Sequence, residues 1–164
     1  MTKDIYVDRP EVPQTSSTRP IVIVDMDGTL ADVGHRLHHI KGAGQKNWKA
    51  FFELMDDDPP NREVVDMVAN YARDHEILIV TGRPETYRRR TADWLSRNAV
   101  PFSRIYMRPN GDHRPDYVVK KEILESLGSD KKSVALVIDD RPSVCDMWRS
   151  CGLKVHQVDT GEAY

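Results

Sequence analysis

The sequence has few cysteines, no long apolar run and no excess of either charge. Its two cysteines, Cys145 and Cys151, lie six residues apart and belong to no CxxC or histidine-paired zinc motif. We therefore expect two reduced thiols on or beside a helix, as in an intracellular, cytoplasmic protein. No apolar run approaches the ~18 residues that a membrane span needs. The first residues lack the apolar core of a signal peptide, so neither a membrane partner nor secretion is expected.

The composition is that of a soluble globular protein. The 164 residues are 39% hydrophobic and 30% charged. A chain of this length buries about 70% of its unfolded surface, so its core needs no disulfide or structural metal. The net charge of −2 excludes recognition of nucleic acid by overall positive charge, but it is compatible with a local basic groove.

Short apolar runs alternate with segments of helical periodicity along the chain. The runs are residues 21–24, 77–80, 104–107, 134–138 and 154–158, and the helical segments are residues 61–74, 84–97, 117–127 and 142–150. This alternation predicts an α/β fold, with a Rossmann-like parallel sheet and helices on both faces. In such sheets the ligand site lies beyond the carboxyl ends of the strands.

Two parts of the chain do not follow the alternation. Residues 1–19 lack periodicity and are interpreted as a flexible N-terminal tail before a domain of residues 20–164. Residues 31–60 carry aromatic and apolar side chains at helical spacing, which predicts a short helix. Because this segment follows the first strand directly, we expect a small cap-like insert over the site.

Acidic and phosphate-binding residue types follow three of the predicted strands. Asp25 and Asp27 come after the first strand, where residues two apart project to the same side. Gly28 then allows a sharp turn. The other two groups are Thr81-Gly82-Arg83 and Asp139-Asp140-Arg141. A hydroxyl, amide N–H groups and a guanidinium are all suited to binding phosphate.

Four carboxylates at neighbouring strand ends would repel one another unless a cation compensates them. An all-oxygen, carboxylate-rich site favours Mg²⁺ over zinc. Lys120, on the helix before the last acidic pair, is a further candidate for compensation. The alternative is that these acidic residues only cap helices or lie in solvent. It is reasonable for one pair but weak for all of them at successive strand ends.

Four motifs in this order resemble the haloacid dehalogenase (HAD) superfamily of phosphohydrolases. They are DMDGTL after an apolar strand, VTGR, the lysine of VVKKEI, and VIDDR. The longer blocks DMDGTLADVGHR, VTGRPETYRRRTADWL, GDHRPDYVVKKEIL and ALVIDDRPSVCDMWRSCGLKVHQVDTGE are similar to the 3′-phosphatase domain of phage-type polynucleotide kinase-phosphatases. The insert matches that family poorly beyond Arg36. No P-loop is present, so we do not expect the chain itself to be the kinase.

This resemblance implies a HAD fold and a role for each residue of the site. Asp25 would be the nucleophile that forms an aspartyl-phosphate, and Asp27 the general acid and then the general base. Mg²⁺ would be held by Asp25, by the backbone carbonyl of Asp27 and by one of Asp139 and Asp140, with Asp140 preferred. Lys120 would stabilise charge in the transition state.

The remaining residues implied by the resemblance bind substrate. Thr81 and the Gly82 amide would hold phosphate oxygens, and Asp116 could orient Lys120 from one helical turn away. Arg36 and Arg83 would act as substrate clamps. For Arg83 the alternative is a structural salt bridge at a helix start.

Three further groups of residues have both a functional and a structural interpretation. His35, His38 and His39 resemble a metal cluster, but an exposed polar face is favoured because Mg²⁺ needs no imidazole. Residues 88–90 are three arginines, for which binding to nucleic acid and simple solvation are held as equal alternatives. Trp48, Phe51 and Phe52 could stack on a terminal base, but packing of the insert is favoured.

Three functions are weighed. The leading one is a Mg²⁺-dependent phosphomonoesterase that removes 3′-phosphate from DNA or RNA ends, with a separate kinase or ligase as a possible partner. The second is a HAD phosphatase acting on free nucleotides or other small phosphate esters. The third is a module that binds phosphorylated ends without catalysis, against which the intact pair of Asp25 and Asp27 argues.

Overall fold

The computed structural model describes residues 19–160, so nearly all of the expected N-terminal tail lies outside the described residues. Five parallel strands form one sheet in the order β3-β2-β1-β4-β5. The strands are β1 (Ile21–Val24), β2 (Glu76–Pro84), β3 (Arg104–Arg108), β4 (Val134–Asp139) and β5 (Val155–Gln157). The predicted α/β fold with a Rossmann-like parallel sheet is confirmed.

Five α-helices connect these strands. They are α1 (Trp48–Glu53), α2 (Arg62–Tyr71), α3 (Arg88–Arg97), α4 (Asp116–Ser126) and α5 (Pro142–Ser150). Short 3₁₀ helices span Gly34–His39, Met55–Asp57, Glu85–Tyr87 and Gly128–Ser133. Within residues 19–160, no helix has both the length and the apolar character required to cross a membrane.

The side chains of β1 alternate between two apolar cores. Val22 and Val24 pack with residues of α2 and α3 on one face of the sheet. Ile21 and Ile23 pack with residues of α4 and α5 on the other. Because successive side chains of a strand point to opposite faces, a strand covered by helices on both sides must be apolar at every position. This explains the uninterrupted run of branched residues.

The structure corrects the expected start of the helical segment at residues 84–97. Pro84 does not begin a helix. It ends β2 in extended conformation, with φ −61° and ψ 148°. A residue that precedes proline is itself pushed towards extended backbone, so Arg83 stays in the strand. The helix α3 begins only at Arg88, after the 3₁₀ turn at Glu85–Tyr87.

The insert that follows β1, residues 31–60, lies outside the sheet. Its two ends are joined by a bridge between Ala31 and Pro60. A separate apolar cluster of Val33, Leu37, Ile40 and Phe51 fills it. The short helix that the aromatic spacing predicts is present as α1.

The cysteines behave as expected. Cys145 is buried on α5, Cys151 follows that helix, and neither forms a disulfide.

The chain order places a crevice at one end of β1. From β1 the chain adds β2 and β3 on one side, and then returns to add β4 and β5 on the other. Such a change of direction leaves a gap beyond the carboxyl ends of the central strands, here β1 and β4.

Candidate active site

Three buried carboxylates meet in this crevice. Asp25 follows β1, Asp139 ends β4 and Asp140 comes next. Each offers one oxygen, and these oxygens all lie within 4.8 Å of one another. The strand-end pattern in the sequence predicts this meeting, because the carboxyl ends of neighbouring parallel strands share one edge of the sheet.

Lys120 joins two of these carboxylates. Its Nζ donates hydrogen bonds of 2.8 Å to Asp25 Oδ1 and of 2.8 Å to Asp139 Oδ2. Burial alone favours the neutral amine, but the charges of Asp139 and Asp25 outweigh it and raise the pKa of Lys120 well above its ordinary value. The lysine is therefore a permanent positive charge inside the site.

One lysine does not neutralise three buried carboxylates. Burial, together with the charge of Asp139, raises the pKa of Asp25 well above the ordinary aspartate value. The same two causes raise the pKa of Asp140 to about 6. A cluster of oxygen donors with uncompensated negative charge suits a hard divalent cation such as Mg²⁺.

The two adjacent aspartates have different contacts. Asp139 Oδ2 accepts from Lys120 and from Trp148 Nε1, and its Oδ1 accepts from the backbone N–H of Asp140. Asp140 Oδ1 accepts from the hydroxyl of Thr29, at 3.0 Å. Since both oxygens of Asp139 are already engaged, Asp140 is favoured as the direct metal ligand.

The side chain of Asp27 faces away from the acidic cluster, towards two arginines. Its Oδ1 accepts from Arg36 Nη2 at 2.7 Å and from Arg83 Nη2 at 2.6 Å. Burial alone would raise the pKa of Asp27, but the charges of Arg83 and Arg36 outweigh it and lower that pKa well below its ordinary value. Asp27 is thus ionised in the resting site. A metal contact through its backbone carbonyl stays a prediction.

Asp58 is the second anion that holds these arginines, and the sequence interpretation missed it. It accepts from Arg36 Nε at 2.7 Å, from Arg83 Nη2 at 3.3 Å and from His35 Nε2 at 2.7 Å. Its side chain is fully buried. Within a run of three aspartates before two prolines, nothing in the sequence distinguishes it from a solvated loop residue.

Arg36 and Arg83 do not face the open crevice. Both are fully buried, and all three nitrogens of each guanidinium donate to atoms of the protein. Their expected role as substrate clamps therefore finds no support in their placement. The contacts instead describe two arginines that orient Asp27.

Thr81 and Gly82 lie on the last part of β2, at the edge of the crevice. A Cβ atom at Gly82 would collide with the carboxylate of Asp116, so any larger residue here requires that carboxylate or the strand to shift. Asp116 accepts from Arg108 Nη2 at 2.8 Å, and its Oδ2 lies 4.0 Å from Lys120 Nζ. The expected contact between Asp116 and Lys120 is present, and Arg108 is an additional neighbour that the sequence interpretation missed.

These groups line one cavity of about 680 Å³. One group of lining residues, here called the floor of the cavity, comes after β1, at or just after the end of β4, or late in β2: Asp25, Asp27, Thr81, Gly82, Asp139 and Asp140. One wall contains Trp48, Phe52 and Tyr87, and the other contains Arg108, Asp116 and Arg141. Carboxylates that line a cavity and contact a buried, charged lysine are groups that can perform displacement at a phosphoryl group.

The histidines and the arginine run have structural partners. His35 binds Asp58, and the rings of His38 and His39 contact each other at 4.0 Å. Across residues 19–160, the group of side chains that could hold a metal contains no histidine. Arg88 pairs with Glu85, and Arg90 with Glu53 and Asp56. These pairs favour the structural interpretation for both groups.

The fold is that of HAD-type phosphoric monoester hydrolases. Two solved structures share the fold at low identity. A hydrolase from Streptococcus pneumoniae TIGR4 is 16% identical over 86% of this chain and 93% of its own, with a TM-score of 0.57. A HAD family enzyme from Bacteroides thetaiotaomicron, solved with magnesium and inorganic phosphate, is 12% identical over 88% of this chain and 96% of its own, with a TM-score of 0.56.

Residues 19–163 match the family model of the polynucleotide kinase PNKP phosphatase domain, and the chain belongs to that family. A chain of the Pnkp1/Rnl/Hen1 complex is 28% identical, with a TM-score of 0.72 over 90% of this chain and 47% of its own. A protein of Autographa californica nuclear polyhedrosis virus, named "Putative bifunctional polynucleotide kinase/RNA ligase", is 28% identical over 78% of this chain and 17% of its own length. The chain thus spans less than half of either relative.

Proposed function

We propose that this chain is a Mg²⁺-dependent 3′-phosphatase that acts on the ends of nucleic acid strands through an aspartyl-phosphate. The observation that carries this proposal is the placement of Asp25. Its carboxylate lies between Lys120 and the acidic pair, in the same cavity as Asp27. Membership of the polynucleotide kinase PNKP phosphatase domain family supports the choice of substrate class.

In the first step, an oxygen of Asp25 attacks phosphorus, and the bond between phosphorus and the sugar oxygen breaks. Lys120 holds Asp25 Oδ1 and Thr29 donates to Oδ2, so the carboxylate is fixed before substrate arrives. Thr81 and Gly82 line the cavity, and we propose that the Thr81 hydroxyl and the Gly82 amide bind phosphate oxygens. The product of this step is a phosphorylated Asp25 and a free 3′-hydroxyl.

Asp27 handles the proton in both halves of the reaction. A dianionic phosphate next to Asp27 raises its pKa, so that it takes up a proton and passes it to the leaving sugar oxygen. Asp27 is then ionised again and accepts a proton from the water that hydrolyses the aspartyl-phosphate. Arg36 and Arg83 keep its oxygen oriented throughout.

Asp25, Asp140 and the backbone carbonyl of Asp27 would hold the cation, with Asp139 held back by its own hydrogen bonds. Mg²⁺, when bound, neutralises the repulsion between the nucleophilic carboxylate and the phosphate dianion. The raised pKa values of Asp25 and Asp140 are the reason for expecting a cation in this chain.

The names of the two more similar relatives support a role beside other end-processing enzymes. One belongs to a complex of Pnkp1, Rnl and Hen1, and the other is named as a polynucleotide kinase and RNA ligase. We propose that this domain works with a kinase or ligase activity, on a separate protein or elsewhere in a longer chain. The strand ends would then be passed on with a 3′-hydroxyl.

The test compares phosphate release from a 3′-phosphorylated oligonucleotide and from thymidine 3′-monophosphate, with Mg²⁺ and with EDTA. We expect release only with Mg²⁺ and a higher kcat/KM for the oligonucleotide. Asp25→Ala should abolish release, while Asp93→Ala, which removes an exposed aspartate on α3, should leave it unchanged. Equal kcat/KM for the two substrates would favour a phosphatase of free nucleotides, and full activity of Asp25→Ala would refute the nucleophile.

A further inference from the structure

Three aromatic side chains form a continuous surface on one side of the cavity, here called the aromatic wall and defined as Trp48, Phe52 and Tyr87. The ring centroids of Trp48 and Phe52 are 6.0 Å apart, with planes 25° from parallel. Those of Phe52 and Tyr87 are 5.2 Å apart, with planes 34° from parallel. The wall therefore extends from α1 of the insert to the 3₁₀ turn that follows β2.

Packing of the insert does not account for this arrangement. Phe51 alone of the insert's aromatic residues is buried in its apolar cluster, at 2% exposure. Trp48 is 42% exposed, whereas Trp94 and Trp148 are fully buried. A large apolar ring kept in solvent beside a cavity is typical of a binding surface. Both residues line the cavity, but Phe51 is held in the core of the insert whereas Trp48 keeps much of its ring exposed.

The wall lies beside two lysines that have no carboxylate partner among the described residues. Lys49 lines the same cavity, and Lys46 Nζ lies 5.5 Å from the centroid of the Trp48 ring. Neither lysine makes an ion pair with a carboxylate in the part of the chain from residue 19 to residue 160. Flat aromatic faces flanked by unpaired lysines are what single-stranded nucleic acid binds, because bases stack and phosphodiesters carry negative charge.

We propose that the aromatic wall binds the nucleobase of the 3′-terminal nucleotide by stacking, chiefly on Trp48, with Lys49 next to the adjoining phosphodiester. This inference rests on the proposed function, because it assumes that the phosphate at Asp25 belongs to a nucleotide. A phosphate ester without a base would fill the floor of the cavity and leave the wall uncovered. The wall therefore sets which substrates bind well, and the groups on the floor perform the chemistry.

Steady-state kinetics with matched substrates test the proposal. The substrates are two 3′-phosphorylated oligonucleotides that differ only in whether the terminal nucleotide carries a base. We expect Trp48→Ala to raise KM for the base-bearing strand on the order of tenfold, the size expected for one base–aromatic stack, with little change in kcat. The variant should not change KM for the abasic strand, and Trp48→Phe should restore most of the affinity.

Tyr117→Ala is the matched control, because Tyr117 is 43% exposed but lies outside this cavity. It should leave both KM values unchanged. If Trp48→Ala raised KM equally for the two strands, or changed neither value, stacking would be refuted. If the wild-type protein released phosphate from neither strand, the proposed function would fail instead, so the two failures are distinguishable.

Fluorescence provides a measurement that does not depend on turnover. In Asp25→Asn at constant Mg²⁺, adding the base-bearing strand should quench the emission of the solvent-exposed Trp48. Trp94 and Trp148 are fully buried and should not respond. The abasic strand should quench little, and Trp48→Phe should remove the response. An equal response in the Trp48→Phe variant would assign the signal to another tryptophan and overturn the proposal.

Discussion

Lys120 Nζ, on α4, donates a hydrogen bond of 2.8 Å to Oδ1 of Asp25, although the two residues are 95 positions apart in the chain. Both side chains are buried, and a second bond of the same amine reaches Asp139. The helix α4 thus supplies the charge that allows carboxylates from β1 and β4 to sit together. The chemistry of the site and the packing of the sheet depend on the same amine.

Lys120→Met should therefore impair both activity and stability. Removing one fixed charge from the transition state costs roughly 10²–10³ in kcat. Removing one partner of a buried ion pair costs about 3–5 kcal/mol of unfolding free energy. Turnover and urea unfolding measure the two effects. Lys121→Met, at the exposed neighbouring position, should change neither. Wild-type turnover in Lys120→Met would remove the lysine from the mechanism.

Asp58→Asn should lower activity although Asp58 lies outside the cavity. Without this anion, Arg36 and Arg83 face Asp27 alone, and the pKa of Asp27 falls further. Its protonated form, which serves as general acid, becomes rarer. We expect kcat to fall about tenfold, a part of the ~10²–10⁴ that general acid catalysis contributes, with little change in KM. The alkaline limb of the pH–rate profile, where this proton is lost, should move to lower pH.

The exposed neighbouring residue provides the control for that experiment. Asp57→Asn changes a solvent-exposed aspartate of the same run and should leave kcat and the pH profile as in the wild-type protein. A uniform loss of activity for Asp58→Asn at every pH, without a shift of the profile, would show that Asp58 acts only through the fold of the insert.

Gly82→Ala should destabilise the protein because its Cβ would collide with the carboxylate of Asp116. Overpacking of this kind costs about 1–3 kcal/mol, which urea unfolding measures. KM should also rise, because the Gly82 amide and the neighbouring pair of Arg108 and Asp116 must shift. Gly44→Ala is the control, since a Cβ there meets nothing within 4 Å. Unchanged stability of Gly82→Ala would contradict the close approach.

Mg²⁺ should raise the melting temperature more at pH 7.5 than at pH 5. The folded-state pKa of Asp140 is raised to about 6, and that of Asp25 is also raised. Without metal, the stability that these protons confer is present below about pH 4 and is lost as pH rises through about 6. Mg²⁺ binds the deprotonated carboxylates and so competes with those protons. Thermal unfolding with and without Mg²⁺ measures the difference.

Asp140→Asn should abolish most of this stabilisation by Mg²⁺. It should also raise the melting temperature of the metal-free protein at pH 7.5, because it removes one of the crowded charges. An equal effect of Mg²⁺ on the variant and on the wild-type protein would place the ion elsewhere.

The parts of the site that the sequence predicts are those set by strand ends. Asp25, Asp139 and Asp140 each follow a run of apolar residues, and a parallel sheet brings such positions together whatever the rest of the chain does. Lys120 lies in the first half of α4, and this position likewise places its amine near the same edge of the sheet. These relations follow from local patterns and from one topological rule.

The parts that the sequence does not predict depend on tertiary contacts. Thr29 reaches Asp140 across 111 positions, and Asp58 reaches Arg36 across 22, through an insert with no regular pattern. The anionic partners of Arg36 and Arg83 are not adjacent to them in the sequence, so the sequence alone does not identify these ion pairs. Burial alone reveals that they serve another side chain rather than a ligand.

The anchoring of the insert has a consequence for how substrates enter. Asp58 of the insert and Asp27, which follows β1, share the guanidinium groups of Arg36 and Arg83, so an outward movement of the insert would take Arg36 and Asp58 away from Asp27. We therefore expect entry and exit to take place with the insert in this position, through the existing mouth of the cavity. The end of a polynucleotide strand can enter and leave through such an opening without any movement of the insert.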